Sequence, residues 1–117
     1  MDLLVRPEWM ALGKHRVLVE RTSMQDLFAE DPSRFAKFSL KYDGLLFDYS
    51  KNRVTEETIE LLTALARACD VEGWRERMFS GEKINNTENR AVLHTALRRP
   101  AQDQVFLGLV DPFHGNR

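Results

Sequence analysis

The chain has 117 residues and a formal net charge of -1, with hydrophobic residues at 43% and charged residues at 30%. That length holds one domain or part of one, and the balance is that of a globular chain rather than a disordered one. The near-zero charge excludes a bulk electrostatic attraction to nucleic acid or to an anionic membrane, so only a local patch would serve either partner.

Pro7 suits the first position of a helix, and Trp9, Leu12, Val17 and Val19 give a loosely amphipathic run to about Arg21. Gly13 weakens that helix by roughly 1 kcal/mol. Ser23 is an expected N-cap for a short helix over MQDLFAE, with Asp26 placed for the reciprocal contact. Asp31-Pro32 reads as the next start, an N-cap followed by proline, with Phe35 and Phe38 on one face.

KFSLKY and LLFDYS flank Asp43-Gly44, the signature of a type I′ hairpin. With those two residues as the turn, Tyr42 faces Leu45, Leu40 faces Phe47 and Phe38 faces Tyr49. All six side chains then fall on one side, as a consistent register requires. A lone hairpin is marginally stable, so this face calls for a covering layer.

Thr55 is an expected N-cap, with Glu56 and Glu57 against the helix dipole. Behind it, Ile59, Leu62, Ala66 and Cys69 form one stripe, and Leu61, Leu65 and Ala68 its neighbour. So broad an apolar face predicts a well-buried helix. Asp70 is placed to cap a further helix through Trp74, Met78 and Phe79, ended by Gly81. Thr87 is placed to cap a helix from Glu88 to about Arg98, stopped by Pro100. VFLGLV in the tail has strand character. The expected fold class is mainly α with one β-hairpin near residues 38–49.

Chemistry-bearing residues are few. On a helix from Glu88, Arg90, His94 and Arg98 share a face that would hold a phosphate or carboxylate. The same face suits solvent and ion pairs, and the cations lack an aromatic platform or glycine-rich loop, so a structural role is preferred. Binding of nucleic acid through Arg90, Arg98 and Arg99 would fall steeply with salt; no nucleic-acid partner is expected. His15, His94 and His114 have no second histidine or cysteine at metal-ligand spacing. Flanked by arginines, His94 is usable as a neutral hydrogen-bonding group, with a structural role preferred. Cys69 closes an apolar stripe and reads as a small hydrophobe. Glu56 and Glu57 sit where any helix favours acids. Asn85-Asn86-Thr87 matches a glycosylation acceptor, which has no weight without a secretion signal. No catalytic, cofactor-binding or metal-binding residue is assigned.

The single cysteine allows no intrachain disulfide and suits a reducing compartment. The start, MDLLVRPEWMALGK, lacks the apolar core of a signal peptide, and no apolar run approaches a membrane span. A soluble cytoplasmic protein with no membrane partner is expected.

Three segments together resemble glucose-6-phosphate isomerases. MFSGEKINNTENRAVLHTALR (78–98) carries most of the likeness, then LLFDYSKNRVTEET (45–58), then DLFAEDPSRFAKFSLKYDG (26–44). Their order and spacing match the N-terminal region of the family, and Trp9, Leu12 and His15 fit its first helix. The likeness covers about residues 7–98. It implies that residues 78–98 are a helix junction, not a catalytic loop, with Glu82 to Asn86 bridging two helices. It also implies that residues 1–99 are the helical N-terminal segment of a larger α/β enzyme of sugar-isomerase type, and residues 100–117 a divergent tail.

The family interconverts glucose 6-phosphate and fructose 6-phosphate with neither metal nor organic cofactor. Its ring-opening acid/base, its glutamate base and its phosphate-holding serines and threonines lie on later domains, so none is carried onto a position here. The resemblance therefore implies a truncated chain that is inactive alone. Uncovered apolar surface would favour self-association or association with the missing domains. A non-enzymatic helical interaction module is the alternative.

Overall fold

The computed structural model describes residues 2–98 and residue 100. The chain divides after Cys69 into two compact units. The first holds α1 (Pro7–Val19), α2 (Met24–Glu30), α3 (Arg34–Lys37), a hairpin of β1 (Ser39–Tyr42) and β2 (Leu45–Asp48), and α4 (Glu56–Ala68). The second holds α5 (Val71–Ser80) and a 3-10 turn at Ala96–Arg98. The described residues are mainly helical with one hairpin, as expected.

Pro7 occupies the first turn of α1, where its missing N–H costs nothing. The inward face of α1 is not the expected one. Leu12 and Val19 are half-buried and His15 between them is buried, while Trp9 and Val17 are exposed. Positions 12, 15 and 19 fall at helical spacing, so a histidine holds the place where an apolar residue was sought. This face packs against α4. Arg6 reaches the far end of α4, donating to the Ala68 carbonyl at 2.6 Å, where a cation meets the negative end of the helix dipole.

Ser23 caps α2 as the sequence predicts. Its hydroxyl accepts from the Asp26 N–H at 3.1 Å, and the Asp26 carboxylate accepts from the Ser23 N–H at 3.3 Å. Thr55 caps α4 in the same manner, with Thr58 returning the contact to the Thr55 N–H at 2.9 Å. The expected deep burial of α4 does not occur. Thr58 is its buried residue, Ile59, Leu61, Leu65 and Ala66 are half-buried, and Leu62 is exposed. A face that broad needs covering on both flanks, and α1 covers one.

Helix α3 starts later than expected, at Arg34 rather than Pro32. Asp31 accepts from the Ser33 N–H at 3.0 Å, and its carbonyl accepts from the Arg34 N–H. Asp31 thereby closes a turn around Pro32 instead of capping a helix. Arg34 is buried to 2% exposure. Its Nε donates to the Ser50 carbonyl and its Nη2 to the Asn52 carbonyl, both at 2.7 Å. The guanidinium lies 4.7 Å from the Phe38 ring centroid and 5.6 Å from that of Phe28.

The hairpin has the predicted register, Leu40 opposite Phe47 and Tyr42 opposite Leu45. Asp43 (φ 42°) and Gly44 (φ 80°) both take positive φ, as a type I′ turn demands. Beyond the strands the Tyr49 N–H donates to the Phe38 carbonyl at 3.0 Å, and the two rings meet edge-on. Phe38 is buried, whereas the apolar residues of the two strands are exposed.

Two carboxylates of this unit are held below the ordinary aspartate value. For Asp31 the Ser33 hydroxyl is the main cause, followed by the Lys37 ammonium. For Asp48 it is the Ser50 hydroxyl, followed by the Ser50 N–H. In the unfolded chain both return to about 3.9. A folded pKa below the unfolded one stabilises the fold above the unfolded value, and this is lost as pH falls through the folded pKa. The urea midpoint, followed by circular dichroism, is expected to fall as pH drops below about 4. Ser33→Ala is expected to make that fall shallower.

In the second unit, Asp70 stands at the start of α5 in a left-handed conformation, φ 56°. It does not cap through its side chain as expected. The carboxylate is drawn instead to Arg77, at 3.0 Å, and the Arg77 guanidinium lies 4.3 Å from the Trp74 ring centroid. Gly81, at φ 82°, ends α5 in the predicted left-handed turn.

The expected helix from Glu88 to Arg98 is absent. The Asn85 side-chain oxygen accepts from the N–H of Thr87 at 3.2 Å and of Glu88 at 3.1 Å. Asn89 adopts φ 52°, and Arg90 returns to pair with Asn85 as an isolated antiparallel bridge. The Asn85 carbonyl takes the Arg90 N–H at 3.3 Å, the donor that a Thr87 cap would use, and the left-handed Asn89 breaks the helical path. The likeness-based expectation of a helix junction holds for its first half, the end of α5, and not for its second.

Candidate functional site

Among the described residues, four polar or charged ones are buried: His15, Arg34, Ser50 and Thr58. Two of them meet between α1 and α4. His15 Nε2 lies 2.7 Å from Thr58 Oγ1. His15 Nδ1 lies 3.4 Å from the Glu57 carboxylate and makes no hydrogen bond. A cleft of about 390 Å³ opens beside them, lined also by Leu12, Val19 and Arg53. Volume and mixed lining are those of a small-ligand cleft.

A histidine beside a carboxylate has the composition of a general acid/base pair. The hydrogen bonding assigns this one to structure. Thr58 Oγ1 already accepts from the Thr55 N–H and lies 3.1 Å from Thr55 Oγ1, so it belongs to the α4 cap. His15 is 6% exposed and spends Nε2 on that hydroxyl. The three side chains clamp α1 to the first turn of α4.

The candidates from the sequence do not converge. Arg90, His94 and Arg98 share no helix face: Arg90 lies 3.7 Å from Glu88, His94 is exposed, and Arg98 donates to the His94 carbonyl at 3.3 Å. Glu56 and Glu57 diverge, Glu56 to Lys37 at 3.3 Å and Glu57 to His15. Cys69 is half-buried at the end of α4. Among the described residues, no three His, Cys, Asp or Glu side chains gather as a metal site. His114, Arg99 and the VFLGLV segment lie outside the described residues. Among the described residues, no helix is long and apolar enough to cross a membrane.

The sequence reading missed the His15–Thr58 pair and the burial of Arg34. Position 15, midway along the Leu12–Val19 face, was the available signal for the first.

Comparison with known proteins agrees with the likeness read from residues 7–98. The chain is 59% identical over 107 residues to glucose-6-phosphate isomerase 2 of Chromobacterium violaceum, covering 92% of this chain and 20% of that protein. It is 55% identical over 99 residues to glucose-6-phosphate isomerase of Pseudoalteromonas translucida, covering 85% of this chain and 18% of that one. It is 59% identical over 95 residues to glucose-6-phosphate isomerase 2 of Streptomyces avermitilis, covering 81% and 17%. The chain thus spans about a fifth of the length of the curated relatives it matches. The phosphoglucose isomerase family model matches residues 48–112, more than half of the chain, and the chain belongs to that family.

Proposed function

We propose that these residues form the N-terminal structural segment of a glucose-6-phosphate isomerase and have no isomerase turnover by themselves. The carrying observation is identity of 50–59% over most of the chain to enzymes of which it spans about a fifth. The lack of a convergent acid/base set among the described residues supports the second part. The reaction served is the interconversion of glucose 6-phosphate and fructose 6-phosphate in glycolysis and gluconeogenesis, in the cytoplasm. Residues 1–99 supply the helical segment, and the family match runs on from it to residue 112. A stand-alone interaction module is the weaker reading, because the relatives named above are all isomerases.

The test is a coupled assay of fructose 6-phosphate conversion to glucose 6-phosphate, on chain purified from a host deleted for its own isomerase. The expected rate equals the buffer control. Turnover above it would overturn the inactive-segment reading and direct mutagenesis to His15 and Glu57. Light scattering of the same sample tests self-association through the exposed apolar residues, which is expected to rise with concentration.

A further inference from the structure

The clamp between α1 and α4 contains a nitrogen that no hydrogen bond uses. His15 Nδ1 is buried and lies 3.4 Å from the Glu57 carboxylate. A bare lone pair on Nδ1 would face a carboxylate, and two acceptors repel. A proton on Nδ1 removes that conflict, so the neutral ring carries its one proton there and presents Nε2 as an acceptor. Nε2 then receives the Thr58 hydroxyl proton across 2.7 Å. Thr58 Oγ1 remains free to accept, from the Thr55 N–H at 2.9 Å and from the Thr55 hydroxyl at 3.1 Å.

A second proton, taken from solvent through the cleft, turns Nε2 into a donor. Thr58 Oγ1 can receive it once its own proton rotates away from the ring. The 3.1 Å contact to Thr55 takes that proton, because either hydroxyl can be the donor there. The Thr55 proton turns to solvent in the cleft that Thr55 lines with Thr22 and Glu56. Two hydroxyls rotate, and no other atom of the row has to move. Nδ1–H stays beside Glu57, now as half of an ion pair. The Glu57 side chain is 66% exposed and has room to close on it. Other charges border the ring. Arg16 and Arg53 line the cleft and oppose a further positive charge, as does the positive end of α4. Both arginines are engaged by Glu20, Arg16 at 3.8 Å to its carboxylate and Arg53 at 3.4 Å to its carbonyl. Glu56 faces Lys37. Solvent screens the arginines, whose side chains are exposed, while the Glu57 carboxylate is close to the ring.

From this geometry we infer that His15, Thr58, Thr55 and Glu57 form a proton-operated clamp. Uptake of a proton by His15 reverses the two hydroxyls and draws the Glu57 carboxylate onto Nδ1, which tightens α1 on the first turn of α4. A proton with more partners in the folded chain than in the unfolded one stabilises the fold on the acid side, and the gain is lost as pH rises through the imidazole range.

The test follows the chain at about pH 8 and about pH 5.5, on either side of the imidazole range. Nitrogen-15 spectra are expected to show His15 at the higher pH with its proton on Nδ1 and a bare Nε2, the reverse of the tautomer that an exposed histidine prefers. At the lower pH both nitrogens are expected to be protonated. The equilibrium constant for folding, from urea denaturation, is expected to rise about threefold from the higher pH to the lower. Glu57→Gln keeps the shape and removes the charge, and with it the rise is expected to vanish. Glu56→Gln removes an acid from the same helical turn, where it pairs with Lys37 at 3.3 Å, and is expected to keep the rise. A proton on Nε2 at the higher pH overturns the hydroxyl relay. A folding constant that is flat or falls toward the lower pH overturns the clamp, as does a rise that survives Glu57→Gln or disappears with Glu56→Gln.

Discussion

Replacing Arg34 by alanine is expected to destabilise the first unit by about 3 kcal/mol, a large share of what holds a small domain folded. The guanidinium makes two 2.7 Å bonds to the main-chain carbonyls of Ser50 and Asn52 and stacks between Phe28 and Phe38. Hydrogen bonds to a charged group contribute about 1.5–3 kcal/mol each. Alanine leaves both carbonyls without this partner and removes a side chain that is 2% exposed, so a cavity adds to the loss. Arg34→Lys keeps the charge but not the fork or the planar stacking, and is expected to recover less than half. Lys37→Ala, three residues away on an exposed ion pair, is expected to be near neutral. Urea denaturation of the three variants gives the order. Hydrogen exchange at Asn52 and Val54, whose N–H groups bond within that loop, shows whether the loss is local. Equal midpoints for Arg34→Ala and Lys37→Ala would refute the account.

Thr58→Val is the second large effect, at about 2 kcal/mol. Valine has nearly the same shape, so the change removes chemistry rather than volume. It deprives His15 Nε2 of its 2.7 Å partner and the Thr55 N–H of its acceptor. Burial makes the first loss costly, since water reaches neither group freely. His15→Leu in the Thr58→Val background is expected to restore part of the stability, because both halves of the broken pair are then apolar. A double-mutant cycle should give a coupling of about 1 kcal/mol between positions 43 residues apart. Strict additivity would mean that the clamp between α1 and α4 contributes nothing as a pair.

What could be read from the sequence was what depends on neighbours in the chain. Ser23 with Asp26, Thr55 at its cap, Gly81 at the end of α5 and the Asp43-Gly44 turn each act within a few residues, and each appears where expected. Burial was less legible, because it is assigned by partners far along the chain. Leu27 and Phe38 are the buried hydrophobic residues among those described, against four buried polar or charged ones. A search for apolar periodicity passes over His15 and Arg34, whose partners lie 43 and 16 residues away. The lost helix at Glu88 is a different error. The Asn85 carbonyl and the Thr87 hydroxyl compete for the Arg90 N–H, and spacing alone does not say which takes it. No site residue is assigned in the sequence, and the Arg90, His94 and Arg98 set weighed there shares no helix face in the structure.

The manner in which Arg34 holds the loop after the hairpin bears on which substitutions that loop tolerates. Its two acceptors are carbonyl oxygens of Ser50 and Asn52, which every amino acid possesses. The path of the loop is therefore written in one residue of a distant helix and hardly at all in the side chains of positions 51 and 52. Exchanging the side chain at position 51 or 52 is thus expected to leave the shape of the loop intact, whereas exchanging Arg34 releases it.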